Sequence, residues 1–391
     1  SDKAERVVFV DSIAPVVTLA ISDCNQSVSP DSCLVPLGDI SLNWSTTAGD
    51  LDNYIIECSV GGAECGGFPT QSTTTISTNY TLPTADSLYT FKVKAKDRYG
   101  NIGDEVSKTI EFVSNPVVIN EVAWAGTAAN SADEWIELYN RSSKTIDLSQ
   151  FKVKSQTDNK PNINLSGTMS SGSYYLIERS TNDQTISDII ADLAISFGSG
   201  SGAGLSNSGE VLAIEYKGNT LDQTALCSGA WCGGSASGNK PSMERVDPDI
   251  AGTLTSNWGT SNGLVKNGKD VAGTELTATP RARNSLHYLI SQNSTLSADR
   301  TLKKSFGTYI IKPGENFTVP AGKTLTIEPG VTVKIGSESR LLIHGTLKSD
   351  GTAADRIFFT TLDGSPWMTV KITSSPANSS ISYANFTGGG R

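Results

Sequence analysis

Six cysteines, two histidines and a scatter of carboxylates are the residues of this 391-residue chain with chemistry to offer. The cysteines fall as close pairs, Cys24 with Cys33, Cys58 with Cys65 and Cys227 with Cys232, each bracketing a loop rich in Gly, Ser, Pro or Asp. A zinc site needs four converging ligands, usually with tight CxxC spacing, and no pair has that spacing or a neighbouring histidine. Short-loop disulfides fit better, each contributing about 2–3 kcal/mol by restricting the unfolded chain. The four cysteines before residue 66 allow three connectivities, of which neighbour pairing is the expected one. Disulfides at this density imply an oxidising location outside the cytoplasm.

The carboxylates suggest two constellations. Asp11, Asp97 and Asn101 lie at a linker and a strand-end turn, where oxygen ligands can hold calcium between two sandwiches. Asp97 and Asn101 would serve equally well by bonding turn amides. Glu121, Asp133 and Glu134 read either as a metal cluster or as a solvated acidic turn. Neither group has the fixed spacing of a calcium loop, so no metal ligand is assigned. Asp350, Asp355 and Asp363 each stand beside Gly or Ala in an apparent turn, and the sequence pairs none of them for acid–base catalysis. His287 and His344 lie far apart, and GSGSGAG at residues 198–204 lacks the lysine of a phosphate-binding loop. The expectation is a chain with no catalytic residues and no cofactor, with calcium as the open case.

The elements that would position these groups are strands. Residues 117–140 read VVINEVAWAGTAANSADEWIELYN, two period-two apolar runs around an acidic, small-residue loop. Ile136 and Leu138 fall on one face and Trp135, Glu137 and Tyr139 on the other, which suits a sheet with a core on one side and covering loops on the other. KTIDLSQFKV, SYYLIERS, LSNSGEVLAIEYKGNTLDQ, SMERVDPD, SNWGTS and TPRARNS follow in order. This series resembles the lamin-tail domain, whose bacterial members sit in large secreted proteins. The resemblance implies a second sandwich over residues 115–285 with Trp258 as a core anchor. Pro280-Arg281 stands where the family usually has Pro-Gly.

Residues 14–114 read as an earlier module. In LYTFKVKAKDRYGN, Tyr89, Phe91, Val93 and Ala95 alternate along one face before a polar turn. The stretch is similar to immunoglobulin and fibronectin type III sandwiches, which implies a core role for Trp44. Residues 1–13 then read as a closing strand, Val7 to Val10, with a linker, belonging to a preceding module or paired with another subunit.

After residue 286 short β-branched runs recur at Leu325–Ile327, Val331–Ile335, Leu341–Leu347, Ile357–Thr361 and Met368–Ile372, separated by Gly or Pro turns. Leu325 and Leu347 sit one plausible coil apart, the arithmetic of a solenoid. TLTIEPGVTVKIG resembles the first coil of right-handed parallel β-helices, with residues 286–315 expected as an irregular cap. No capping sequence follows the last run, so the native chain is expected to continue or to be covered by a partner.

The fold class is therefore all-β and multidomain: an Ig-like sandwich, a lamin-tail sandwich and the first coils of a parallel β-helix. No run approaches the ~20 apolar residues of a membrane span. Ser1 in place of an initiator methionine suggests a processed or excised piece. Net charge is −9, and residues 286–391 hold eleven Lys and Arg against seven Asp and Glu. Basic residues are scattered rather than interleaved with aromatics, which disfavours nucleic acid. Asn-x-Ser/Thr sequons, among them Asn43, Asn79 and Asn140, leave glycosylation open. Three classes remain: a structural segment of an extracellular cell-surface protein (stalk, fibre or surface-layer subunit), an adhesin, or a targeting scaffold for an enzyme domain elsewhere. The expected partners are other copies, other surface proteins or glycan. An adhesin would need an exposed aromatic platform, with Trp124 or Trp231 beside the Cys227–Cys232 loop as candidates, whereas Trp231 packed over that disulfide would be a core residue.

Overall fold

The computed structural model describes residues 11–390 apart from 23–24, 30–31, 69–71, 84–86, 180–184, 201–202, 264, 292–294, 297–298 and 374–378. The expected closing strand at Val7–Val10 and the Cys24–Cys33 pairing lie outside the described residues.

The first module contains β1 (Val17–Ile21), β2 (Asn25–Ser29), β3 (Ser32–Val35), β4 (Asp39–Thr46), β5 (Leu51–Val60), β6 (Ala63–Glu64), β7 (Ser72–Thr73), β8 (Ser77–Thr81), β9 (Ser87–Asp97) and β10 (Val106–Phe112). One sheet runs β1-β4-β8 and the other β2-β3-β10-β9-β5-β6, with β7 also on β5. Period-two alternation explains the packing: Tyr89, Phe91, Val93 and Ala95 point inward from β9 to meet Trp44 and Tyr54. Trp44 lies 6.3 Å edge-on from Tyr54, in the expected core position. Most pairings are antiparallel, but β3 runs parallel to β10, with Ser32 opposite Thr109 and Val35 opposite Phe112.

The second module comprises β11 (Val117–Ala123), β12 (Trp135–Asn140), β13 (Ile146–Asp147), β14 (Phe151–Ser155), β15 (Asn162–Asn164), β16 (Thr168–Met169), β17 (Tyr174–Arg179), β18 (Leu193–Ile195), β19 (Leu212–Tyr216), β20 (Asn219–Gln223), β21 (Leu226–Cys227), β22 (Ala230–Trp231), β23 (Met243–Arg245) and β24 (Trp258–Thr260). A six-stranded sheet, β18-β17-β12-β11-β23-β24, accompanies a four-stranded one, β15-β14-β19-β20. Their shared core contains Ile119, Ile136, Leu138, Phe151, Val153, Ile177 and Ile214. All seven residues of β11 are buried, because later segments cover the six-stranded sheet's outer face. There Ala123, Trp135 and Leu176 pack against Ile186, Leu276 and Ala278. Gly126 turns the chain after β11 with φ +72°, and a Cβ there would meet the Asn130 carbonyl oxygen at 2.6 Å.

A short helix, α1 (Ser285–Tyr288), leads into the solenoid: β25 (Leu289–Ser291), β26 (Arg300–Leu302), β27 (Thr308–Ile311), β28 (Asn316–Val319), β29 (Thr324–Ile327), β30 (Thr332–Ile335), β31 (Arg340–Ile343), β32 (Thr346–Asp350), β33 (Ile357–Thr361), β34 (Thr369–Ile372), β35 (Ser380–Ser382) and β36 (Ala384–Phe386). Three parallel sheets, β25-β27-β30-β33-β36, β26-β29-β32-β35 and β28-β31-β34, enclose one apolar interior over about three turns. Leu325 stacks on Leu347 as the repeat arithmetic requires. The steps between stacked residues are unequal: Leu325 to Leu347 is short and Ser349 to Ile381 long. The run expected as one strand over Leu341–Leu347 is divided between β31 and β32. Within residues 286–315, expected as an irregular cap, β26 and β27 already pair in register with β29 and β30. Their short, weakly periodic runs hid that pairing, which depends on contacts to the following coil.

Candidate functional site

The densest concentration of titratable groups lies beneath the segment that closes the second module. β12, β11 and β23 are neighbours, and Glu137, Glu121 and Glu244 project from them onto the covered outer face, each completely buried. A bulge around Asn120 shifts the β11–β12 register there. Glu121 accepts hydrogen bonds from the Thr279 amide at 2.9 Å, the Thr279 hydroxyl at 2.8 Å and the Ser242 hydroxyl. Glu137 accepts from the Arg281 amide and, at 2.9 Å, from the Asn120 side chain. Glu244 accepts from the Ser285 hydroxyl at 2.8 Å and the Leu286 amide at 2.9 Å. Asn284 completes the seam, receiving a bond from Asn120 at 2.7 Å and donating to the Asn120 and Arg245 carbonyls.

Burial pushes the Glu121 carboxyl well above the usual range, and the charges of Glu244 and Glu137 push it further. Burial likewise raises Glu244 and lifts Glu137 to about 8 against the amide of Arg281. Three buried carboxyls, whose charge is opposed by burial and favoured by amide and hydroxyl donors, therefore fasten residues 279–286 to the sheet. Their bonds go to protein amides and hydroxyls, which makes the seam a clasp.

Beside it, Arg245 is 1% exposed and grips Asp222 through two bonds, 2.7 Å and 3.1 Å, while also donating to the Ile119 and Ile250 carbonyls. Asp222 in turn accepts the Ile119 amide at 2.9 Å. The Arg245 guanidinium lies 5.5 Å from the Trp258 ring, which is buried as its anchor role required. Arg281 adopts φ +55°, the left-handed conformation that glycine takes at the family's usual Pro-Gly. It ion-pairs with Asp192 at 2.7 Å and donates to the Ile190 carbonyl.

At the far pole of the first module, Asp11, Asp50 and Asp97 bring carboxylate oxygens within 4.8 Å of one another. Sequence reasoning named Asp11 and Asp97 but missed Asp50, whose approach depends on the β4–β5 turn. Burial opposes the Asp97 charge, but bonds from Asn101 and the Tyr99 amide outweigh it and lower its pKa. Asn101 also donates to the Asp11 carbonyl at 3.1 Å. The neighbouring Asp11 side chain, followed by burial, raises the Asp50 carboxyl. The oxygens are of the kind calcium takes, yet Asp97 spends its lone pairs on its own turn.

Glu121, Asp133 and Glu134 do not converge as a metal cluster, nor do they form a solvated turn. Asp133 is held by Thr127 at 3.0 Å and Asn130 at 2.9 Å. Glu134, raised by burial to about 7, meets Arg179 at 3.1 Å and the Leu205 amide at 2.7 Å. The aromatic platform is likewise corrected: Trp124 and Trp231 are both buried and stack face to face at 6.1 Å. Their indole nitrogens donate to the Gly233 and Ser206 carbonyls. Asn140 is excluded as a glycan acceptor, being fully buried with its amide donating to three backbone carbonyls.

Asp350 bonds Ser380 and Ser382, Asp355 pairs with Lys304 at 2.6 Å, and Asp363 bonds Ser337 and the Ser365 amide. These are turn and inter-coil duties. His287 is buried and stacked 4.9 Å from Phe306, with burial and the neighbouring Arg283 and Arg300 charges pushing its pKa well down. His344 is exposed and bonds Thr373 at 2.5 Å. Disulfides join Cys58 to Cys65 and Cys227 to Cys232, with Cα separations of 5.4 Å and 4.9 Å.

Both joints between modules are packed. Leu34 and Val113 from the first module belong to the second module's core, and Glu111 accepts the Ser143 hydroxyl at 2.5 Å. At the other joint the Arg283 guanidinium lies 5.1 Å from the Phe306 ring and 4.9 Å from the Tyr309 ring, and donates to the Thr308 carbonyl at 3.1 Å. Arg141 and Lys303 meet on Asp249.

Protein bark beetle of Drosophila melanogaster is 34% identical over 90 residues, which is 23% of this chain and 3% of that protein. The chain thus spans only a small part of that relative's length. The crystal structure of a DUF4876 family protein from Bacteroides thetaiotaomicron VPI-5482 aligns with 59% of this chain and 89% of that one, at 9% identity and a TM-score of 0.27. The family model named Lamin Tail Domain matches residues 112–227. The chain carries a lamin tail domain at those residues, preceded by Ig-like sheets and followed by a β-solenoid.

Proposed function

We propose that this chain is a non-catalytic structural segment of a large extracellular cell-surface protein, a stalk or lattice element that meets other copies or other surface proteins. The observation that carries this reading is the packing of both joints. Leu34 and Val113 are buried in the lamin tail core, and Arg283 is fixed over two solenoid rings. Modules tethered for independent binding are normally joined by small, polar contacts. Shared cores favour a part whose job is to hold distance and direction. Two short-loop disulfides support an oxidising location. The buried acids support a scaffold, because their bonds are spent on clasping the chain. Labelling intact cells of the source with an antibody to residues 115–285 tests the location. Surface label is the expected result, and protein reached only after lysis, in the cytosol, would overturn it.

A further inference from the structure

We propose that the Asp247–Pro248 peptide bond is a self-processing site, at which the Asp247 carboxyl cuts its own backbone in mild acid. Of the chain's 15 prolines, only Pro248 follows an aspartate. That dipeptide joins the two parts such a cut requires. The carboxyl can close a five-membered ring on its own carbonyl carbon, and the tertiary amide nitrogen of proline leaves readily once protonated. The fold adds fixed donors. The Asp247 carbonyl oxygen accepts from the Asn257 side-chain amide at 3.0 Å, from Arg245 Nε at 3.3 Å and from the Ile250 amide at 3.3 Å. A turn needs only the last of these. Arg245 and Asn257 are buried, so a guanidinium and an amide are held away from water where an oxyanion would form. The Asp249 amide fixes one carboxyl oxygen of Asp247 at 2.9 Å, and the Asn257 side-chain carbonyl accepts the Asp247 amide at 2.9 Å.

In the step itself, a carboxyl oxygen attacks the Asp247 carbonyl carbon, the C–N bond to Pro248 breaks, and the carboxyl proton passes to the proline nitrogen. One water then opens the cyclic anhydride and leaves Asp247 as a free C-terminus, with nothing oxidised or reduced. Burial raises the Asp247 carboxyl against the cations that face it, Arg300, Lys303, Arg245 and Arg141, which keeps the proton available in mild acid. Tyr309 and His287, the latter held neutral by burial and the nearby arginines, complete the surrounding wall. The cut leaves the fold closed, because β24 beyond it still pairs with β23. It acts once, on the chain's own backbone, so the non-catalytic reading stands apart from it.

The test uses the whole chain, kept at the lowest pH at which circular dichroism still reports the native fold and sampled by denaturing mass spectrometry. The expected products are residues 1–247, ending in an unmodified aspartate, and residues 248–391, beginning at Pro248. The same chain in urea at that pH gives the lability of the bond without the fold. The folded chain should be cut about tenfold faster or more, the scale of a fixed oxyanion donor. Asp247→Asn and Pro248→Ala should each leave the folded chain intact over the same period. Asn257→Ala should slow the cut about tenfold or more; if that variant does not fold, the comparison of folded with denatured chain still decides. An intact folded chain, or one cut no faster than in urea, would overturn the site and leave the cell-surface reading untouched. Protein confined to the cytosol would overturn only the latter.

Discussion

Asp222 and Arg245 form a buried pair whose members are costly to separate. Asp222→Ala would strand a guanidinium that is 1% exposed, and loss of one partner from such a pair costs about 3–5 kcal/mol. The urea midpoint of the lamin tail transition should fall accordingly, and an unchanged midpoint would mean that the pair is hydrated. Arg281 is a second test, since its φ of +55° suits glycine and strains a β-branched residue. Arg281→Val should cost about 1–3 kcal/mol, more than Arg281→Gly, which loses the Asp192 pair but fits the turn. Two buried glutamates also dictate a pH response. Glu134 is raised to about 7 and Glu137 to about 8. Their contribution is complete below the ordinary carboxyl pKa near 4.5 and is lost as pH rises through those values, because the unfolded state releases the protons first. Melting temperature should therefore fall between about pH 5 and pH 9, and Glu137→Gln should flatten the slope. Of these residues, Trp258 was legible from its place in the family pattern. Asp222 with Arg245 was not, because nothing local marks two groups that meet only when β20 lies beside β11 and β23.

Elements were more legible than sites. The alternation of Tyr89, Phe91, Val93 and Ala95 fixed a strand and its inner face, and stacked Leu325 and Leu347 fixed a coil. The acidic loop after β11 misled, because period-two reasoning gives faces but not what covers them. The covering segments, around Ile186 and residues 276–286, arrive from far along the chain. Trp124 and Trp231 could form a platform only under the adhesin reading; the two rings bury each other, a pairing between distant segments that nothing local marks. Within the solenoid, Ser349 occupies an interior column between Ile327 and Ile381. Its hydroxyl has no partner among the described residues. Ser349→Ala should stabilise the solenoid by about 1 kcal/mol, read as a higher thermal midpoint; a lower one would reveal a buried water.

At the scale of the molecule, the joints decide behaviour. Arg283→Ala removes the guanidinium that lies over Phe306 and Tyr309 and bonds the Thr308 carbonyl. Small-angle scattering should then report a broader distribution of distances between the lamin tail and the solenoid, with each module's own melting little changed. An identical profile would place the coupling in Asp249 and its two cations instead. The sequence pointed to boundaries near residues 114 and 285 but not to the sharing of Leu34 across the first, since a leucine in a strand carries no mark of which core it will join. The solenoid's unequal steps have a separate outcome. Its interior columns stay in register whether the intervening turn is brief, as after Ile327, or longer, as after Asp350. Those turns are thus free to lengthen and diversify over evolutionary time without disturbing the stack, and natural variants of this chain should concentrate their insertions there.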